Sequence, residues 1–496
     1  MHAAEAFMPP AFTERDPVAT RANADTDTVS LVRLATEPLV LLAVAHLGIL
    51  ALRLPMFDRL PGWMFTMRAK AIGPMVLLVA LAALIAGAAW LATASRQRVV
   101  VVVVALIASG YLFQEGLAWS EGRGLNGLRE RMVTSGHAEF ATLAVQQRSL
   151  WSVLTHYEQK VAGGELLRYA HSKPPGQLLF YMATERISRL ISSSDQPDAR
   201  LAALRTMAAL VWPLIAYLAL IPLYATVRRL AGDETARITA LLYLVVPASA
   251  LITLHTDSVI FPALCAGVVW MVVVAAARDR VWWAIAAGVL LYVSAFFTFA
   301  LLAALPLALL SAMTVVGGSA GGRPAVRREA VLISGIALGF GVSFVLFAVA
   351  FHYDFFARFS DARNFNAAWK GWDGGISQTL YFALLNSLEY ALWVGMPIIW
   401  LAAGHVRRAI LRVERGDYHG LTLTAIGCAA VLIYLACFGQ NKAETARLWL
   451  FITPWVCACA AAELQARFGS NRSALAVVVA LQWLTVVLTK ANQDFW

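Results

Sequence analysis

The chain has 496 residues, 60% of them hydrophobic and 14% charged, with a formal net charge of +10. Soluble domains hold roughly half apolar and a quarter charged residues, so this balance excludes a single soluble core. It does not support nucleic-acid binding either. The Lys and Arg residues sit beside apolar runs, where membrane orientation places them, and no helix-turn-helix, zinc-finger or RNA-binding signature accompanies them.

Residues 1–34 are polar and of mixed charge, with no apolar stretch of the kind a cleavable signal needs. They are expected to form a disordered cytoplasmic tail. Apolar blocks follow, of the size a helix needs to cross the hydrocarbon layer. Clear ones are Met75–Trp90, Val99–Phe113, Leu241–Ile252, Ala263–Ala277, Val331–Phe351, Tyr381–Ala403, Leu421–Phe438 and Leu448–Ala462. Once ambiguous stretches are divided, the pattern predicts an all-α polytopic membrane protein with about 13 transmembrane helices. An amino-terminal hairpin occupies 35–98, the main membrane domain 99–463, and a last transmembrane helix lies in 464–496. All five cysteines fall within apolar segments, so they are expected to be small buried hydrophobes, not disulfides or metal ligands.

Lys and Arg in short loops set the orientation. An inside amino terminus gives cytoplasmic loops at Arg96–Arg98, Arg228–Arg237, Arg278–Arg280, Arg323–Arg328, Arg407–Arg415 and Arg467–Arg472. The outer face then receives the loop 116–205, the turn around His255–Asp257, the loop 354–378 and the turn Gly439–Arg447. Arg53, Arg59, Arg68 and Lys70 in the first hairpin run against this rule. Five of the nine histidines (His137, His156, His171, His255 and His352) lie on the outer face.

The 116–205 loop is far longer than ordinary connections, and such loops are usually functional or disordered. Its aromatics, among them Trp119, Phe140, Trp151, Tyr157 and Tyr169, argue that it folds. Within it, Gln177–Ser194 has the pattern of an amphipathic helix at the membrane surface. The 354–378 loop mixes aromatics with Arg, Asn and Asp, residue types suited to stacking on sugar rings or capping a cavity. An interfacial aromatic belt explains Trp369 and Trp372 equally well.

Four motifs carry candidate chemistry. In His171-Ser172-Lys173-Pro174-Pro175-Gly176-Gln177, two prolines direct the chain into a helix start. Its amides, with Lys173 and His171, form either a cradle for a phosphate or a proline-rich helix start with a snorkelling Lys. Around Ser135-Gly136-His137-Ala138-Glu139, with Glu115 and Glu121 upstream, a carboxylate is either a general base tuned by His137 or simply solvated. His255-Thr256-Asp257 sits at a tight turn, where Asp257 is an N-cap, a site residue or both. Glu444 and Arg447 are three apart and share a helix face. They form either an intrahelical salt bridge or a phosphate ligand, Arg447, held by Glu444 at a costly and therefore suspect position.

These pieces in this order resemble the integral-membrane GT-C glycosyltransferases, particularly the group containing protein O-mannosyltransferases and the aminoarabinose transferase of lipid A. The matching elements are a span followed by a large outer loop with acidic residues, an H-x-P-P-type motif (HSKPPG), HTDS at an outer turn and the late ETARLWLFITPW segment. The resemblance implies inverting transfer from a polyprenyl-monophosphate sugar, with a first-loop carboxylate as base. Members commonly carry an acidic pair where this chain has Gly136 and His137, so the base falls to Glu139, Glu121 or Glu115, or the role is distributed. Lys173, Arg447 and His171 are then expected to meet the donor phosphate, with Asp257, His255 and Glu444 in support. The implied partners are the lipid-linked donor, a lipid, glycan or protein acceptor, and membrane lipids, with no nucleic acid. No cofactor is required, and a divalent cation on Asp257 and Glu139 is the remaining option. The expected location is a bacterial inner membrane with the active site facing the periplasm. Two other readings compete: a transporter or flippase for lipid-linked sugar, and a non-catalytic glycolipid-binding relative.

Overall fold

A computed structural model describes residues 37–73, 75–94, 97–134, 138–147, 149–192, 194–317, 323–438 and 440–493. The tail 1–34 and His137 lie outside these. Among the described residues all named elements are helices, and the isolated β-bridge joins Met67 to Gln493.

Among the described residues seven helices are long and apolar enough to cross a membrane: Met75–Thr93, Val99–Trp119, Pro197–Ala231, Thr256–Arg278, Phe299–Val316, Arg327–Phe351 and Arg472–Asn492. A bent pair, Ile376–Val394 with Met396–Glu414, raises this to eight if taken as one span. Pro38–Ala51, Val281–Phe297 and Thr422–Phe438 are shorter apolar helices. The protein is therefore an all-α polytopic membrane protein.

The apolar block Tyr381–Ala403 looks continuous in sequence, but the chain turns by 114° inside it. Gly395 makes that turn with φ +99, a left-handed conformation that glycine adopts without steric cost. Pro397 then begins the next helix, where its missing N–H costs nothing. A side chain at Gly395 would collide with the Gln482 amide, which donates to the Val394 carbonyl at 3.0 Å. Elsewhere, Gly335 and Gly339 on the helix Arg323–Phe351 lie against Val281–Phe297, and Gly288 faces them from the other side. A Cβ at Gly339 would meet the Ile285 carbonyl, and one at Gly288 the Ile336 carbonyl. Small residues four apart allow backbones to pack this closely in a membrane. The expected helix over Gln177–Ser194 forms as Gly176–Ser188, leaving Leu190 and Ile191 exposed beyond its end.

Loops assigned to one side by their charge meet one another. At one end, Arg237 donates to the carbonyls of Ala94 (2.6 Å) and Gln97 (3.1 Å), and Arg467 pairs with Glu37 at 3.0 Å. There Glu463, buried, also holds Arg467 at 2.7 Å and Arg408 at 3.1 Å. At the other end, Arg358 pairs with Glu158 at 3.1 Å, and Lys442 donates to the Gly371 carbonyl at 2.6 Å. The contrary segment of the first hairpin belongs to this second end. Arg53 donates to Asn492 at 2.7 Å, and the Lys70 amide to the Ala491 carbonyl at 2.7 Å.

Candidate functional site

The most constrained backbone lies at this second end. Gln440, Ala443 and Glu444 have φ of 50, 62 and 65, and Leu254 has φ 64 just before His255. Non-glycine residues in this region cost of order 1–3 kcal/mol each and persist only where surroundings over-determine them. For the 440–447 turn, the helix Ile376–Val394 supplies those surroundings. Asn386 donates to the Asn441 carbonyl (2.8 Å) and accepts from the Ala443 amide (3.1 Å). Glu389, fully buried, accepts through Oε1 from the Ala446 amide (2.9 Å) and the Thr445 hydroxyl (3.1 Å). Its Oε2 is buried without a hydrogen-bond partner.

The two constrained turns meet through Arg447. Its Nε lies 3.0 Å from Asp257 Oδ2, one terminal nitrogen is 3.2 Å from His255 Nδ1, and the other donates to Glu444 Oε2 at 3.1 Å. Arg447, Asp257 and His255 are all buried. His255, not Asp257, is the residue flanking the short helix Thr256–Val259, and its side chain makes no cap bond. Asp257 therefore serves the Arg447 group from the first turn. Burial opposes the charge on Arg447, but Glu444 and Asp257 outweigh it and hold the guanidinium above its ordinary pKa. Burial alone would raise Glu444, yet Arg447 and Lys370 hold its carboxyl below the usual range.

Lys173 arrives from the HSKPPG motif. The buried Tyr157 hydroxyl is placed to donate to the Ala170 (2.9 Å) and Lys173 (3.2 Å) carbonyls, fixing the chain ahead of Gly176. Gly176 then packs on the Phe296 carbonyl, 2.5 Å from where a Cβ would stand. The half-buried Lys173 side chain lies within Coulomb range of Glu444 and Lys370. His171 turns elsewhere, stacking on Phe365 with centroids 5.0 Å apart, while its carbonyl accepts from Arg358 at 3.0 Å.

The helix Phe355–Trp369 of the second loop covers this region. Trp369 meets Tyr169 edge-on at 5.3 Å, and Arg168 stands 4.8 Å over the Trp369 ring. Lys370 follows that helix directly and feels the charges of Glu444, Lys173 and Arg447.

The three carboxylates considered as bases separate. Glu139 begins the helix Ala138–Gln146 and accepts through Oε1 from the amides of Tyr169 (2.7 Å) and Ala170 (3.2 Å). Burial raises its carboxyl above the usual range, against those amides and Arg168. Glu121 is committed to Arg131 at 2.8 Å and to Lys490. Burial works against its charge, but Arg131 and Lys490 outweigh it and hold its carboxyl low. Glu115 stays on the helix Val99–Trp119, beside Tyr111 and Trp119. Among the described residues no group of three or more His, Cys, Asp or Glu is arranged to hold a metal ion.

Sequence reasoning missed Lys370, Asn386 and Glu389. A lone carboxylate inside the apolar run LLNSLEYALWV is a signal that intramembrane cost makes meaningful. Lys370 carries no such signal, being one charge in a charged loop.

No family model matches the sequence, and no curated protein matches it. Among solved structures, the fold is similar to an oligosaccharyltransferase of Archaeoglobus fulgidus, solved in complex with zinc and sulfate and in an apo form. For the first the TM-score is 0.43 at 13% identity, covering 78% of this chain and 52% of that one. For the apo form the TM-score is 0.42 at 12% identity, covering 78% and 55%. The chain thus spans about half the length of these structures. Likeness of this degree assigns no activity.

Proposed function

We propose that this chain is a GT-C glycosyltransferase that moves a sugar from a polyprenyl-phosphate donor to an acceptor hydroxyl at the outer face of a bacterial inner membrane. The observation that carries this reading is the meeting of three distant motifs. HSKPPG, HTD and ETAR bring Lys173, Asp257 and Arg447 together at one end of a membrane-spanning helical bundle.

In this reading the donor's isoprenoid tail stays in the bilayer, and its phosphate meets Lys173 and Arg447. The acceptor oxygen bonds to the anomeric carbon as the bond from that carbon to the phosphate oxygen breaks. The phosphate leaves with the electron pair, and the acceptor proton passes to a carboxylate. Fixed cations at the departing phosphate stabilise charge that develops only in the transition state. Glu139 is the base this reading favours, since burial raises its carboxyl and with it the affinity for a proton, whereas Glu121 is held in an ion-paired cluster. Asp257, Glu444 and His255 position Arg447, and the 354–378 helix limits access of water.

The test is transfer of labelled sugar from a polyprenyl phosphate by the purified protein in lipid. Wild type transfers, while Lys173→Ala and Arg447→Ala lose at least tenfold in donor affinity. No transfer to any hydroxyl acceptor, with intact donor binding, overturns the enzymatic reading. A flippase reading gains support from the 114° bend at Gly395 and the carboxylate of Glu389 inside a membrane helix. It predicts donor movement across vesicles without transfer.

A further inference from the structure

Arg447 by itself makes a poor anion site. It is paired with both Asp257 and Glu444, so this trio carries one net negative charge. Lys173 brings the sum to zero. A phosphate arriving there would meet no net attraction, and in a partly desolvated site that sign matters more than in water. The covering loop brings a further cation beside these groups. Lys370 is half-buried and lies within Coulomb range of Glu444, Lys173, Arg447 and Glu389. Counting it makes the site positive by one. If Glu389 behind the Thr445–Leu448 turn is counted as charged, Lys370 instead moves the sum from minus one to zero. Either way, Lys370 shifts the sum by one in the direction that favours an anion.

The surrounding geometry fixes where this residue stands. On its amino-terminal side, Trp369 is held between Tyr169 and Arg168 at 5.3 and 4.8 Å. On its carboxyl-terminal side, the Gly371 carbonyl accepts from Lys442 at 2.6 Å. Further back, buried Arg358 ties the same helix to Glu158 at 3.1 Å and to the His171 carbonyl at 3.0 Å. The loop is thus pinned to the HSKPPG segment on one side and to the 440–447 turn on the other, with Lys370 between the pins. Burial lowers the Lys370 ammonium from its ordinary value, and Glu444 works to restore it.

We infer that Lys370 is a third ligand of the donor phosphate, supplied by the 354–378 loop. This rests on the reading of the site as one for a polyprenyl phosphate. Lys173 and Arg447 come from segments fixed to the membrane bundle, whereas Lys370 comes from the segment covering them, which is already pinned in place.

The experiment measures binding of farnesyl phosphate, a short polyprenyl monophosphate, to full-length protein in lipid nanodiscs, with farnesol as the uncharged control. Lys370→Met keeps the aliphatic stem and removes the charge. It is expected to weaken farnesyl phosphate binding at least tenfold while farnesol binding stays within twofold. Lys370→Arg is expected to restore most of the affinity. Lys442→Ala, which removes a contact and a charge beside the loop but leaves Lys370 in place, should weaken binding less than Lys370→Met. Unchanged farnesyl phosphate affinity in a folded Lys370→Met protein overturns the inference, as does equal loss of farnesol and farnesyl phosphate binding. If Lys173→Ala and Arg447→Ala weaken binding and Lys370→Met does not, Lys370 alone is wrongly assigned. If wild type discriminates nothing between farnesyl phosphate and farnesol, the donor reading itself fails.

Discussion

Arg447 Nε stands 3.0 Å from Asp257 Oδ2, joining two turns far apart in sequence, with both side chains shielded from solvent. Removing one partner of such a pair strands a buried charge and typically costs about 3–5 kcal/mol, whereas replacing both by apolar residues is often neutral. Arg447 also serves Glu444, so its loss strands two carboxylates. Arg447→Met should therefore lower thermal stability in detergent sharply. Adding Asp257→Leu and Glu444→Gln should recover most of it while donor binding stays lost. Equal melting temperatures for Arg447→Met and wild type would show that the cluster contributes nothing to stability.

The members of this pair were legible from the sequence, and the reason is physical. Charged side chains at the ends of apolar runs are costly, so His255, Asp257, Glu444 and Arg447 stood out before their partners were known. The partners themselves were not legible, because nothing local reports that position 257 faces 447. The same holds for Glu121, whose partner Lys490 lies 369 positions away; a carboxylate that looked available as a base is engaged by a helix from the other end of the chain. The bend at Gly395 was hidden for another reason. Hydropathy runs on across it, and only the left-handed φ of one glycine reverses the direction.

Glu139 offers a test that separates scaffold from chemistry. Its Oε1 accepts from the Tyr169 and Ala170 amides, and the side-chain oxygen of Gln can accept the same bonds. Glu139→Gln should stay folded, with melting within a few degrees of wild type, and lose at least 100-fold in transfer, as removal of a general base typically does. Burial raises this carboxyl, and a base must be ionised to act. Transfer at saturating donor should rise as pH climbs through that raised value. A flat profile between pH 4 and 8 would assign Glu139 to holding the 168–171 segment only.

Glu444 has the opposite shift. Its carboxyl is held low by Arg447 and Lys370 despite burial. A group whose folded pKa is depressed contributes stability above its unfolded value, and loses it as pH falls through the folded one. The unfolded value for Glu is about 4.3, so this contribution is complete at neutrality and disappears in acid below that range. The Glu444→Gln protein should melt earlier than wild type at pH 7, and the gap should close as the pH is lowered toward 3. A gap that persists undiminished in acid would locate the effect in packing instead.

The division of the loops into two ends makes a prediction about sidedness. Lys442 meets Gly371 and Arg358 meets Glu158 at one end, while Arg467 meets Glu37 at the other. Cysteines placed at exposed positions near the end that holds Arg447, such as Glu165 and Asp373, should react with an impermeant maleimide from one face of sealed vesicles. Those at Arg415 and Ser470 should react only from the opposite face. The proposed orientation, read from the charge distribution, puts the Arg447 end outward, so intact cells should label Glu165→Cys and Asp373→Cys and spare the other two. Labelling of Glu165→Cys and Arg415→Cys from the same face would break the two-sided arrangement. It would also separate the donor site from the compartment in which the acceptor is proposed to lie.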